Sequence, residues 1–95
     1  MISFSAPLQL WRNSEGNSHF MVLPEDQAIE VKAHSLLNRR GFGSVRTECR
    51  IGEVVWRTSL FPQKSGGYFL PIKVDVCRRA DLTAGDKVTV DLELI

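Results

Sequence analysis

Apolar residues recur at every second position in several parts of this chain. Phe4, Ala6, Leu8 and Leu10 are spaced by two, with Ser3, Ser5 and Gln9 between them. That period predicts a strand over Phe4–Leu10 with one wet face. Arg12 to Ser18 is polar around Gly16 and reads as a turn, and His19–Leu23 reads as a second strand, so the two form an N-terminal hairpin. In the middle of the chain Val45, Thr47, Cys49 and Ile51 alternate with Arg46, Glu48 and Arg50. Gly52-Glu53 then has the glycine-first signature of a type II′ hairpin turn, and Val54–Phe61 is the returning strand. Closing that turn sets Ile51 opposite Val54, Cys49 opposite Trp56, Glu48 opposite Arg57, Thr47 opposite Thr58 and Val45 opposite Leu60. Apolar then meets apolar and acid meets base in one register. Tyr68–Ile72 predicts a short strand after the loop Pro62–Gly67. Val88, Val90, Leu92 and Leu94 predict a final strand after the turn Ala84-Gly85-Asp86.

One segment carries helix signals. Pro24 suits a first helical position, and Glu25 and Asp26 follow where carboxylates complement the helix dipole. Ile29, Ala33, Leu36 and Leu37 lie three and four apart and predict the apolar face. Gly41 beyond Asn38 predicts an end near Leu37. Val74–Ala80 is short and predicts one helical turn, with Val76, Cys77 and Ala80 inward.

The sum is mainly β: a small closed double-split β-barrel of about six or more strands, with one α-helix and one short helical turn. The chain has room for a single β-barrel domain over residues 1–95. Leu23-Pro24 and Leu70-Pro71 each follow an aromatic-apolar run, lead into a helical segment, and lie 47 residues apart. A barrel of two related halves fits that echo. Closure would leave no long edge, so a monomer is expected.

Composition then removes function classes. The chain is 43% hydrophobic and 24% charged with a net charge of +1, which is ordinary for a globular domain. No apolar run reaches the ~20 residues of a membrane span. MISFSAPLQLW lacks the basic start and continuous apolar stretch of a signal peptide, so a cytoplasmic location is expected. Cys49 and Cys77 have no metal-type spacing and read as small buried apolar residues in a reducing compartment.

No catalytic motif is present. His19 and His34 have no nucleophile motif around them and read as surface or rim residues. No HExxH, EF-hand loop, P-loop or nucleophile elbow occurs, and Gly41-Phe42-Gly43 reads as a tight turn. No cofactor, metal or enzyme activity is expected. Trp11 and Trp56 read as core or core-edge residues.

Charge is unevenly spread. Nine of the 12 basic residues fall between Arg39 and Arg79. Arg39, Arg40, Arg46, Arg50, Arg57, Lys64 and Lys73, with Tyr68 at the rim, are the candidate residues for an anionic ligand or nucleic acid. The opposing reading is that acids of the terminal segments, including Asp91 and Glu93, fold over the same face and neutralise it.

The runs Arg40-Gly41-Phe42-Gly43-Ser44-Val45, Ile51-Gly52, Trp56–Pro62, Gly67-Tyr68 and Leu70–Lys73, with Gly85-Asp86 before the last strand, resemble one group. It is a bacterial double-split β-barrel family of unknown function, whose domain is sometimes fused to a bacteriocin-protection domain of the YdeI/OmdA type. The resemblance covers nearly the whole chain, implies the barrel fold, and assigns no catalytic residues. Leu70-Pro71, Leu82, Gly85-Asp86 and Val88–Val90 are also similar to the pattern of the AbrB/MazE swapped-hairpin DNA-binding barrels, in which two chains build what two halves would build here. The resemblance implies fold and no function; the function expected from the residues together is a non-catalytic binding or accessory module for a protein or small anionic ligand. The alternative is nucleic-acid binding through the basic middle segment.

Overall fold

The alternating segments form strands in the computed structural model, the first of them in two pieces, and residues 12–13 and 16–18 of the expected turn are strand as well; the structure describes residues 1–14, 16–37 and 43–95. The elements in chain order are β1 (Ile2–Pro7), β2 (Gln9–Asn13), β3 (Gly16–Val22), α1 (Glu25–Leu37), β4 (Val45–Ile51), β5 (Val54–Pro62), β6 (Tyr68–Ile72), α2 (Val74–Arg79) and β7 (Lys87–Leu94). All strand pairs are antiparallel, in the order β1-β7-β4-β5-β6-β3-β2. The sheet curls into a half-barrel around one apolar cluster, in which Leu8, Met21, Leu60, Leu70 and Leu92 are fully buried.

The β4–β5 hairpin has the expected register, Ile51 facing Val54 and Glu48 facing Arg57. Its turn depends on Gly52, whose φ of +58° lies in the left-handed region that costs an L-residue about 1–2 kcal/mol. Thr47 is buried on the inner face, where its hydroxyl donates to the Glu93 carbonyl oxygen at 3.0 Å. The internal echo also has a structural counterpart. β3 and β6 pair with each other, each runs into a helix, and Val22 faces Phe69, two residues that are themselves 47 apart.

Three expectations are corrected. The strand expected over Phe4–Leu10 breaks at Leu8 into β1 and β2. The Leu8 amide donates to the Asp86 carbonyl and the Gly85 amide to the Leu8 carbonyl, each at 2.8 Å. These bonds pin Leu8 to the turn before β7 while the chain passes from the ladder of β7 to that of β3.

The same break opens the expected closed barrel. β1 and β2 follow one another through Leu8 and do not pair, so each terminates one end of the strand order. The premise of the monomer expectation, a sheet without edges, is therefore not met.

The helix α1 buries the opposite face from the one expected. Ala28 and Val31 are buried, whereas Ile29 is 60% and Leu37 85% exposed, with Ala33 and Leu36 also outside. The entry of the helix decides this. The Leu23 amide is tied to the Tyr68 carbonyl at 3.0 Å, and Pro24 gives its carbonyl to the first helical bond, from Ala28. That fixes the rotation of α1 and turns its smaller residues to the sheet. α1 is described as far as Leu37, and Asn38 and Gly41, on which its expected end rests, lie outside the described residues.

α2 is short and closes in a Schellman arrangement. The Leu82 amide donates to the Cys77 carbonyl and the Asp81 amide to the Arg78 carbonyl, with Asp81 at φ 55° where glycine is usual. Val76 and Cys77 are buried beneath it, and Ala80 packs against the core.

Candidate functional site

Alternation along β4, β5 and β7 puts their charged residues on the outer face. Arg46, Arg50 and Arg57 are there, and so are Glu48, Asp91 and Glu93. Register interleaves the signs. Glu48 stands between Arg57 and Glu93, and Arg50 is opposite Asp91. Glu48 Oε2 and Arg57 Nη2 are 3.6 Å apart, and Asp91 Oδ1 accepts from the Ser3 hydroxyl at 2.7 Å. The acids of the last strand lie beside the hairpin, so this face carries charges of both signs side by side.

The other expected residues do not join that set. Lys64 is in the loop between β5 and β6, and Lys73 is the N-cap residue of α2 at the far end of β6. Tyr68 is a core residue, 3% exposed, whose hydroxyl lies 3.4 Å from the Ser35 hydroxyl, so it is no rim residue. Arg39 and Arg40 lie outside the described residues. A cleft of about 600 Å³ separates α1 from the loop, lined by Ala28, Ile29, Lys32, Gly66, Gly67 and Tyr68.

A different surface is built on the outer face of β2, β3 and β6. Trp11, Phe20, Phe69 and Phe61 belong to four adjacent strands, in the order β2, β3, β6, β5. Phe20 and Phe69 meet edge to face with centroids 6.3 Å apart, and Phe61 stacks on Phe69 at 5.6 Å. Trp11, Ser18, Phe20, Phe69 and Pro71 line an open groove of about 520 Å³. Trp11 is 63% exposed, which corrects its expected core position, while Trp56 is buried at 9% as expected. The signal was present in the sequence. With Phe4, Ala6, Leu8 and Leu10 inward, period two turns Trp11 outward, and Phe20 is out of phase with the inward Met21.

The titratable interior is small. Cys49 and Cys77 are free thiols and both are buried, as expected. Burial pushes the Cys49 thiol up to about 12, against a hydrogen bond from Thr47 and with the charge of Glu48 adding to the rise. Burial also raises Cys77. His19 is half-buried, and its Nδ1 and the Trp56 Nε1 are enclosed without a hydrogen-bond partner. Among the described residues no three of His, Cys, Asp and Glu converge on a metal-sized space, and no helix is long and apolar enough to cross a membrane.

Comparison with known proteins adds one family. Its model, described as "Domain of unknown function (DUF1905)", matches residues 4–92, which takes in both helices and all or most of every strand. No curated protein matches the sequence.

Proposed function

The chain belongs to the DUF1905 family, a domain of unknown function, and from that premise we propose that it is a non-catalytic module that binds a partner protein on the outer apolar face of β2, β3 and β6. The observation that carries this reading is the aromatic groove. Large aromatic side chains left outside a core are the groups that dominate protein interfaces when they are covered. Here Phe20, Phe69 and Phe61 are contiguous, and Trp11, Phe20 and Phe69 flank a concavity that a side chain of a partner can fill.

The test is selection from a display library of random peptides, followed by titration of synthetic hits by isothermal calorimetry. Trp11→Ala and Phe69→Ala should each weaken binding by roughly thirtyfold, as hot-spot aromatics do. Arg46→Ala with Arg57→Ala should bind like the wild type. Peptides that bind Trp11→Ala unchanged, or a library that yields no binder, overturn the reading.

A second reading keeps an anionic ligand or nucleic acid on Arg46, Arg50 and Arg57, with Lys64 and Lys73 nearer β6. The exposure of the three arginines on one face favours it, and Glu48, Asp91 and Glu93 on the same face oppose it. Affinity for duplex DNA that falls steeply with salt, and is lost in the double arginine variant, would establish it.

The same proposal takes the module as a monomeric protein of the bacterial cytoplasm, with distant fold kinship to the AbrB/MazE barrels. The buried free thiols suit a reducing compartment. The paired Leu-Pro strands, each leading into a helix, suit the kinship.

A further inference from the structure

Resting on that reading of the apolar face, we propose that the partner docks by adding a β-strand to the free edge of β2. The incoming segment is extended and proline-free, and it sets an apolar side chain beside Trp11 and a carboxylate beside Arg12.

Among the described residues β2 is the last strand in the order and pairs with β3 alone. Its far side therefore presents unpaired backbone N–H and C=O groups over Gln9–Asn13, a ready template for another strand. The strand has no proline and a single charged residue, Arg12. The other terminal strand, β1, differs: it ends at Pro7, and β3 and α1 pack against it.

Two independent features thus coincide at one edge. The unpaired backbone runs past Trp11, the midpoint of β2, whose ring opens onto the aromatic groove. Side chains of an added strand alternate between faces. One set lies on the outer face beside Gln9 and Trp11, where the groove takes an apolar group. The neighbouring set lies on the face of Arg12.

Charge selects the partner. The one Lys, Arg, Asp or Glu within β2, β3 and β6 is Arg12; Lys64 and Lys73 flank these strands, and so do Glu15, Glu25, Asp26 and Asp75. Along the edge strand itself the charge is that of Arg12 alone, which complements one carboxylate at the facing position of an added strand. A second copy of β2 would place Leu10 opposite Arg12 in an antiparallel pair centred on Trp11 and would offer no carboxylate, so the occupant is a different chain.

The experiment uses the full chain and a display library of proline-free peptides that alternate Val, Ile or Phe with Asp, Ser or Thr. Selected peptides are resynthesised with N-methyl groups on one alternate set of backbone amides or on the other. Strand addition predicts that one N-methylated set loses about tenfold or more in affinity and the other loses none, because only one set faces β2. It also predicts new hydrogen-exchange protection at β2 amides, and loss of affinity in Arg12→Glu. If both N-methylated sets bind like the parent while Trp11→Ala still loses binding, strand addition is overturned and the groove reading stands. Binding unaffected by Trp11→Ala, or no binder, overturns both. Protection of β2 amides without peptide, together with a doubled mass by light scattering, overturns the heterologous partner in favour of self-pairing.

Discussion

Glu48 and Arg57 face each other across the β4–β5 ladder with their charged atoms 3.6 Å apart, and Glu48 has Glu93 on its other side. The arginine therefore relieves a carboxylate flanked by a second one. Exposed cross-strand pairs of this kind are worth about 0.2–1 kcal/mol. A double-mutant cycle on Glu48→Ala and Arg57→Ala, read by urea unfolding, should give a coupling in that range that shrinks in high salt. A coupling above about 2 kcal/mol would mean that the pair is shielded from solvent.

The two tryptophans should behave as opposites. Trp56→Ala empties a core position and should cost about 3–5 kcal/mol. Trp11→Ala changes an exposed ring and should leave stability within about 0.5 kcal/mol. A large loss from Trp11→Ala would make that residue part of the folding core and remove it from the binding face.

Cys49 ties stability to high pH. Its folded value is raised from 9.0 to about 12 by burial, so above pH 9 the unfolded chain loses a proton that the folded chain keeps. Its contribution to stability is complete below pH 9 and is lost as pH rises from there through about 12. Cys49→Ala should flatten this part of the stability curve relative to its own neutral value. Thiol reagents at neutral pH should label Cys49 only as the protein unfolds, since the thiolate is the reactive form.

Asp81 closes α2 in a left-handed conformation with φ 55°. Glycine adopts that conformation without the Cβ penalty, although its unfolded state is freer. Asp81→Gly should raise stability by about 0.5–1 kcal/mol, seen as a higher urea midpoint with an unchanged slope. A fall in midpoint would show that the Asp81 side chain holds the turn.

Local pattern alone was enough for β4 to β7, the β4–β5 register and the buried cysteines, because each depends on neighbours in the sequence or on one tight turn. Period two already turned Trp11 outward, and it is the aromatic label that suggested a core position. Other features needed the packed chain. Leu8 breaks a strand because the distant Gly85-Asp86 backbone bonds to it, and that break leaves the barrel open with β2 at an edge. α1 buries Ala28 and Val31 because the tie from Leu23 to Tyr68 sets its rotation, which its scattered apolar residues do not determine. The basic middle segment meets Asp91 and Glu93 because β7, distant in sequence, pairs with β4. Side-chain alternation and turn chemistry act over a few residues and are written in the chain. Which strands pair across long separations, and which edge they leave free, is decided by packing of the whole core.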